Sequence, residues 1–118
     1  MDYNTTKTPQ LKLWQSNYGK VYLDSGRGIV DPKTRLPYFK MIIDELPIKT
    51  ILEVGCGAGH NLAALSSISD YELFAVEPEK YALEWARKAC PYATILEVDC
   101  YSLPFPDNCF DLVFTCGV

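Results

Sequence analysis

Thr50–Leu62 reads TILEVGCGAGHNL, and the order of residue types in it decides the fold. Thr50 to Val54 is a β-rich apolar run that stops at Gly55; Gly57 and Gly59 follow, and a helical pattern then runs from Asn61 to Ile68. A strand that turns through glycines into a helix opens a βαβ unit. Glycine adopts positive φ and carries no Cβ, so such a turn lets a ligand lie directly on the backbone. The amides at the following helix start favour an electron-rich group. Close packing can demand the same glycines, so the flanking sequence has to decide.

Downstream, strands and helices alternate. Glu72–Val76 reads as a second strand, and Glu79–Ala89 as a helix with Pro78 at its start and Leu83 and Ala86 facing inward. Thr94–Val98 reads as a third strand and Asp111–Phe114 as a fourth. Elements of this length imply an α/β fold, a Rossmann-like parallel sheet. Upstream the pattern is helical. Leu36, Phe39, Ile42, Ile43 and Leu46 recur at three- and four-residue intervals, with Pro37 in the first turn and Pro47 as terminator. Gln10–Leu23 carries Leu11, Trp14, Tyr18 and Tyr22 on one stripe, although Gly19 weakens a continuous helix. Asp24–Thr34 reads as a loop, and Met1–Thr8 as a loose polar end. The expected organisation is an N-terminal helical segment over residues 1–47 and a parallel α/β unit over 48–118.

Spacing in the glycine turn separates two ligand classes. A dinucleotide site wants GxGxxG, with a third glycine where His60 stands. Here the pattern is GxGxG, preceded by Glu53, a carboxylate that would repel a pyrophosphate and suit an ammonium group. S-adenosylmethionine carries such a group and no phosphate. Glu77 closes the second strand beside the first, where a carboxylate can accept both hydroxyls of a ribose. Asp99 closes the third, placed to accept from an adenine amino group, with the Cys100 amide facing a ring nitrogen. Each acid has a plainer role available. Glu77 precedes a helix start, where negative charge is stabilised anyway, and Asp99 can cap a turn.

Taken together, ILEVGCGAG, AVEPEKYALEWAR and VDCYSLPFPDNCFDLVFT resemble the successive motifs of class I S-adenosylmethionine-dependent methyltransferases over Ile48–Val118. The resemblance implies that Glu53, Gly55, Cys56, Gly57 and Gly59 contact the methionine portion and that Glu77 and Pro78 lie at the ribose. It places Asp99 and Cys100 at the adenine, and residues 115–117, including Thr115 and Cys116, at the methionine end facing the acceptor. LPFPDNCFDLV resembles small-molecule and biosynthetic members, so a small-molecule acceptor is expected. LWQSNYGKVYLDSG and VFTCGV resemble methylases of sugar and nonulosonic-acid biosynthesis clusters. In that setting Tyr18 and Tyr22 form part of a lid, or else the inward stripe of a packing helix. A complete fold of the family has seven strands in the order 3-2-1-4-5-7-6, and this sequence corresponds to the first four. The expectation is therefore a fragment with an inherited site, or a chain that associates with a second copy or a companion chain through the apolar edge of strand four.

Composition narrows the alternatives. The 118 residues are 48% hydrophobic and 22% charged, with a net charge of -4 and no block of like charges, which argues against strong attraction to nucleic acid or anionic membrane. Five cysteines form no CxxC pair, and with His60 as the one histidine no zinc set is spelled out, so no metal is expected. Reduced thiols, no leader-like start and no apolar run of bilayer length point to the cytoplasm. Methyl transfer from a sulfonium is an in-line displacement that alignment and water exclusion accelerate. No residue is nominated as a general base; His60 reads as a helix-start residue. The competing functions are a noncatalytic binding or interaction module and, more remotely, a nicotinamide-dependent oxidoreductase.

Overall fold

A computed structural model describes residues 7–26, 29–44 and 46–116. The glycine turn links β1 (Thr50–Val54) to α4 (His60–Ser66), after which come β2 (Glu72–Val76), α5 (Lys80–Ala89), β3 (Thr94–Leu96) and β4 (Leu112–Thr115). Before them lie α1 (Pro9–Gln15), α2 (Asn17–Asp24), a 3-10 turn (Pro32–Arg35) and α3 (Leu36–Ile43). The strands form one parallel sheet in the order β3-β2-β1-β4. Ile51 pairs with Leu73 on one side and with Leu112 on the other, so β1 is central and β4 is an edge. Since the chain steps from β1 to β2 and β3 on one side and returns to the other side for β4, the tip of β1 is a topological switch point.

β1 is buried on both faces, as a strand covered on both sides must be. On one face Ile51, Ala75 and Ile95 pack with Leu62, Leu65, Leu83 and Ala86 from α4 and α5. On the other, Phe74 meets Phe105 and Phe110 at centroid distances of 6.0 and 5.2 Å, so the loop after β3 covers the sheet. Asp111 fastens the start of β4 to β1 by accepting from the amides of Lys49 and Thr50 at 2.7 and 3.1 Å, and these bonds hold its carboxyl below the usual range.

Several boundaries differ from the sequence reading. The N-terminal stripe is two helices, split at Ser16 rather than at Gly19, because the Ser16 hydroxyl accepts from the Tyr18 amide and restarts the helix. Pro32–Arg35 is a 3-10 turn inside the expected loop, capped by Asp31. α3 ends at Ile43, before Pro47, and β3 ends at Leu96. The polar start lies mostly outside the described residues.

Candidate functional site

A cavity of about 310 Å³ opens where β1, β2 and β3 end, and Glu53, Glu77 and Asp99 all line it. The three acids therefore converge on one crevice. The glycine turn forms its floor: Gly55, Gly57 and Gly59 take φ of 77°, 55° and 85°, and the Gly55 amide donates to Val76 O at 2.8 Å. Gly57 lines the cavity, and a Cβ placed on it meets nothing within 4 Å. Gly59 has a different job. A Cβ there would come within 2.8 Å of the Ala86 Cα, so this glycine lets the turn sit against α5 and does not line the cavity.

Glu53 is 1% exposed. Asn61 Nδ2 donates to its Oε2 at 2.8 Å, while Oε1 is buried with no partner among the described residues. Burial pushes its carboxyl up to about 7; the Asn61 bond lowers it, the Glu77 charge raises it and Arg35 lowers it. Glu77 bridges two backbones, its Oε1 accepting from the Gly57 amide and its Oε2 from the Glu79 amide, each at 2.8 Å. Burial raises the Glu77 carboxyl, and those two amides oppose the shift. The helix-start role open to Glu77 is taken instead by Glu79, which caps α5 by accepting from the Tyr81 and Ala82 amides at 3.0 and 2.6 Å. Asp99 lines the cavity, and its Oδ1 accepts from the Tyr101 amide at 2.9 Å, which is the turn-capping role open to it.

Cys56, Pro78, Cys100 and Cys116 also line the cavity. Burial pushes the Cys56 thiol far above its ordinary range, with Glu53 and Glu77 adding to the shift, which disfavours the thiolate. Thr115, expected at the methionine end, closes β4 opposite Val54 and lies off the cavity wall. Gly117 lies outside the described residues. No cluster of His, Cys, Asp and Glu that could hold a metal ion occurs among the described residues.

The sequence reading missed how much of the wall comes from the N-terminal helices. Leu11 and Trp14 of α1 and Gly19 and Tyr22 of α2 line the cavity, together with Thr8. Tyr18 stacks on Tyr22 at 6.3 Å and is not part of the lining. Gln15 Nε2 donates to Pro78 O at 3.3 Å, and the Tyr81 hydroxyl donates to Asp24 at 2.7 Å. Gly19 permits the approach, since a Cβ there would collide with Trp14 O and sit 2.8 Å from the Glu79 Cγ. His60 and Asn61 also line the cavity; their only signal in the sequence was their position just after the glycines.

A parallel sheet whose switch-point crevice has a glycine floor and an acid at each of three strand tips defines a Rossmann-like α/β protein. More narrowly, the chain belongs to the methyltransferase-domain family, whose model matches residues 52–118. Among solved structures, the plantazolicin methyltransferase BpumL, in complex with a desmethylPZN analog and SAH, is 18% identical at a TM-score of 0.65, over 88% of this chain and 44% of that one. CalS10, a SAM-bound amino pentose methyltransferase of Micromonospora echinaspora involved in calicheamicin biosynthesis, is 22% identical at 0.62, over 81% and 41%. DesVI of Streptomyces venezuelae is 22% identical at 0.60, over 94% and 44%. At these identities the likeness is one of fold, and the chain spans less than half the length of each. A search of curated proteins found no match.

Proposed function

We propose that this chain is the S-adenosylmethionine-binding half of a methyltransferase that acts on a small-molecule acceptor. The observation that carries the reading is the buried Glu53 Oε1, without a hydrogen-bond partner among the described residues, at the wall of a cavity shared with Glu77 and Asp99. An acid excluded from water, with one oxygen still lacking a donor, suits a cationic group. In this assignment Glu53 holds the ammonium, and Gly55, Cys56 and Gly57 hold the methionine chain against open backbone. Glu77, whose oxygens each keep a lone pair beyond the amide bonds, accepts from the ribose hydroxyls beside Pro78. Asp99 and Cys100 hold the adenine edge, and Cys116 lies toward the acceptor.

When bound, S-adenosylmethionine supplies a methyl group on a positive sulfur, open to in-line attack. The chain's contribution is alignment and exclusion of water, with Trp14 and Tyr22 adding aromatic side chains to the cavity wall. Residues 1–47 act as a cover and 48–118 as the cofactor-binding half. A cytoplasmic setting is supported by the five unpaired thiols, and no helix of the described residues is long and apolar enough to cross a membrane. Calorimetric titration with S-adenosylmethionine tests the proposal: saturable binding that Glu77→Ala weakens by about tenfold or more is expected, and absence of binding by folded protein refutes it.

A second reading, an interaction module, draws support from β4, an edge strand whose Val113 is 54% exposed. Under it, a second copy or a companion chain pairs with that edge, and no acceptor is methylated.

A further inference from the structure

A second cavity, of about 270 Å³, is lined by Gln15, Pro78, Glu97, Val98, Asp99 and Ser102. Pro78, Val98 and Asp99 belong to both linings, so the two spaces adjoin past the tip of β2 and the bend after β3. The local chain accounts for that bend. β3 ends at Leu96, and the Val98 amide turns back to Leu96 O at 3.0 Å, so Glu97, Val98 and Asp99 leave the sheet. The Ser102 amide donates to Asp99 O at 3.3 Å and closes the next turn. α1 supplies the border between the spaces. Its Trp14 lines the first cavity and the neighbouring Gln15 the second, where Nε2 donates to Pro78 O at 3.3 Å.

The two linings differ in chemistry. The first sets Leu11, Trp14 and Val76 beside its acids. Of the residues lining the second, the charged ones are Glu97 and Asp99, both negative, and Gln15 and Ser102 add an amide and a hydroxyl. Such a space suits a cation and repels a carboxylate or phosphate. Glu97 and Gln15 are exposed, so water screens the attraction and keeps it modest. Asp99 joins the two spaces. In the cofactor reading it accepts from the exocyclic amine of adenine, and a carboxylate accepts from several donors at once. That nitrogen carries two hydrogens, so one bonds to Asp99 while a substituent replaces the other.

We infer that the second cavity is a subsite beyond the adenine, open to a cationic substituent on the exocyclic nitrogen of an adenosyl ligand, with Glu97 recognising the charge. The inference rests on the cofactor reading above and extends it past the edge of the cofactor itself. It makes Glu97 and Ser102, which have no part in holding the unmodified cofactor, the residues that decide which extended ligands enter.

The test titrates the 118-residue chain with S-adenosylhomocysteine and with two derivatives alkylated on the exocyclic nitrogen, one aminoethyl and one propyl. The two substituents match in length and differ in charge. Wild type is expected to bind the aminoethyl compound no more than about twofold more weakly than the unmodified one, and at least about threefold more tightly than the propyl compound. Glu97→Gln removes that preference and high salt reduces it, while S-adenosylhomocysteine stays within about twofold of wild type. Ser102→Phe fills the second cavity and weakens both derivatives about tenfold, sparing the unmodified compound. An aminoethyl compound that binds wild type more weakly than stated means a closed wall; it overturns the subsite and leaves the cofactor reading standing. A smaller preference over propyl, or one that survives Glu97→Gln, does the same. Wild type that binds none of the three compounds removes the cofactor reading and the subsite with it. Circular dichroism checks folding; if Ser102→Phe does not fold, wild type and Glu97→Gln decide.

Discussion

Glu53 is an acid held out of water beside a second acid, and its titration links folding to ligand. Its ordinary value of 4.5 is raised to about 7 in the folded chain. Below the unfolded value both states hold the proton and nothing is lost. As pH rises toward the folded value the unfolded state ionises first, so the empty protein loses stability, on the order of 3 kcal/mol once both states are ionised. Glu77 is pushed the same way, so thermal unfolding of wild type should fall between about pH 5 and 8, and Glu53→Gln should flatten the fall without abolishing it. An ammonium group removes the penalty, so the stabilisation conferred by S-adenosylmethionine should grow over the same interval. A ligand effect that does not change with pH would contradict this account.

The glycines of the turn divide at the same scale. Gly57→Ala should cost about 1 to 2 kcal/mol for its left-handed backbone but put a methyl group into the cavity, lowering affinity more than stability. Gly59→Ala carries the same backbone strain plus overlap with Ala86, about 3 kcal/mol or more, and should show chiefly as a fall in denaturation midpoint. Chemical denaturation and ligand titration on both variants separate the two. Nothing in GCGAG itself distinguishes these positions. The difference lies in what each faces, Gly57 open space and Gly59 the backbone of a helix 27 residues later.

Among the elements, the strands were the most legible. Thr50–Val54 and Glu72–Val76 match residue for residue because each is a short β-rich run bounded by turn formers. Thr94–Val98 was read too long: Glu77 closes the pairing on Leu96, and the chain then bends with the Val98 amide turned back to Leu96 O. The N-terminal helices were legible as helices but not as a cavity wall. Their placement rests on contacts such as Gln15 to Pro78 and Asp24 to Tyr81, partners some sixty residues apart that no local pattern announces. Gly19, read as a helix weakness, is a position where a side chain would collide with Trp14 O and Glu79. Gly19→Ala should cost about 1 to 3 kcal/mol by forcing α2 off the Trp14 carbonyl of α1 and off the Glu79 side chain. It should also raise limited-proteolysis cleavage N-terminal to β1 while leaving the sheet protected.

For the whole molecule, the sheet is asymmetric. Among the described residues β1 has strands on both sides, whereas β4 has one, and its other side carries no strand beside exposed Val113. α3 covers one face of this edge through Phe39 and Phe114, 5.4 Å apart, while its own Tyr38 and Met41 are 61% and 74% exposed. Light scattering over a concentration series should show association of the wild-type chain, and Val113→Lys should suppress it without changing S-adenosylmethionine affinity. An equally monomeric wild type would remove the edge as a docking element. That β4 lies at an edge followed from strand order. What pairs with it is not written in these residues, because an unpaired ladder accepts many strands.

Trp14 sits on the cavity wall, whereas the second indole, Trp85, lies on α5 away from it. The protein thus carries its own optical gauge of occupancy. Filling the cavity changes the surroundings of one emitter and not the other, so acceptor candidates and cofactor analogues can be ranked by intrinsic emission without a label, with Trp14→Phe as the silent control.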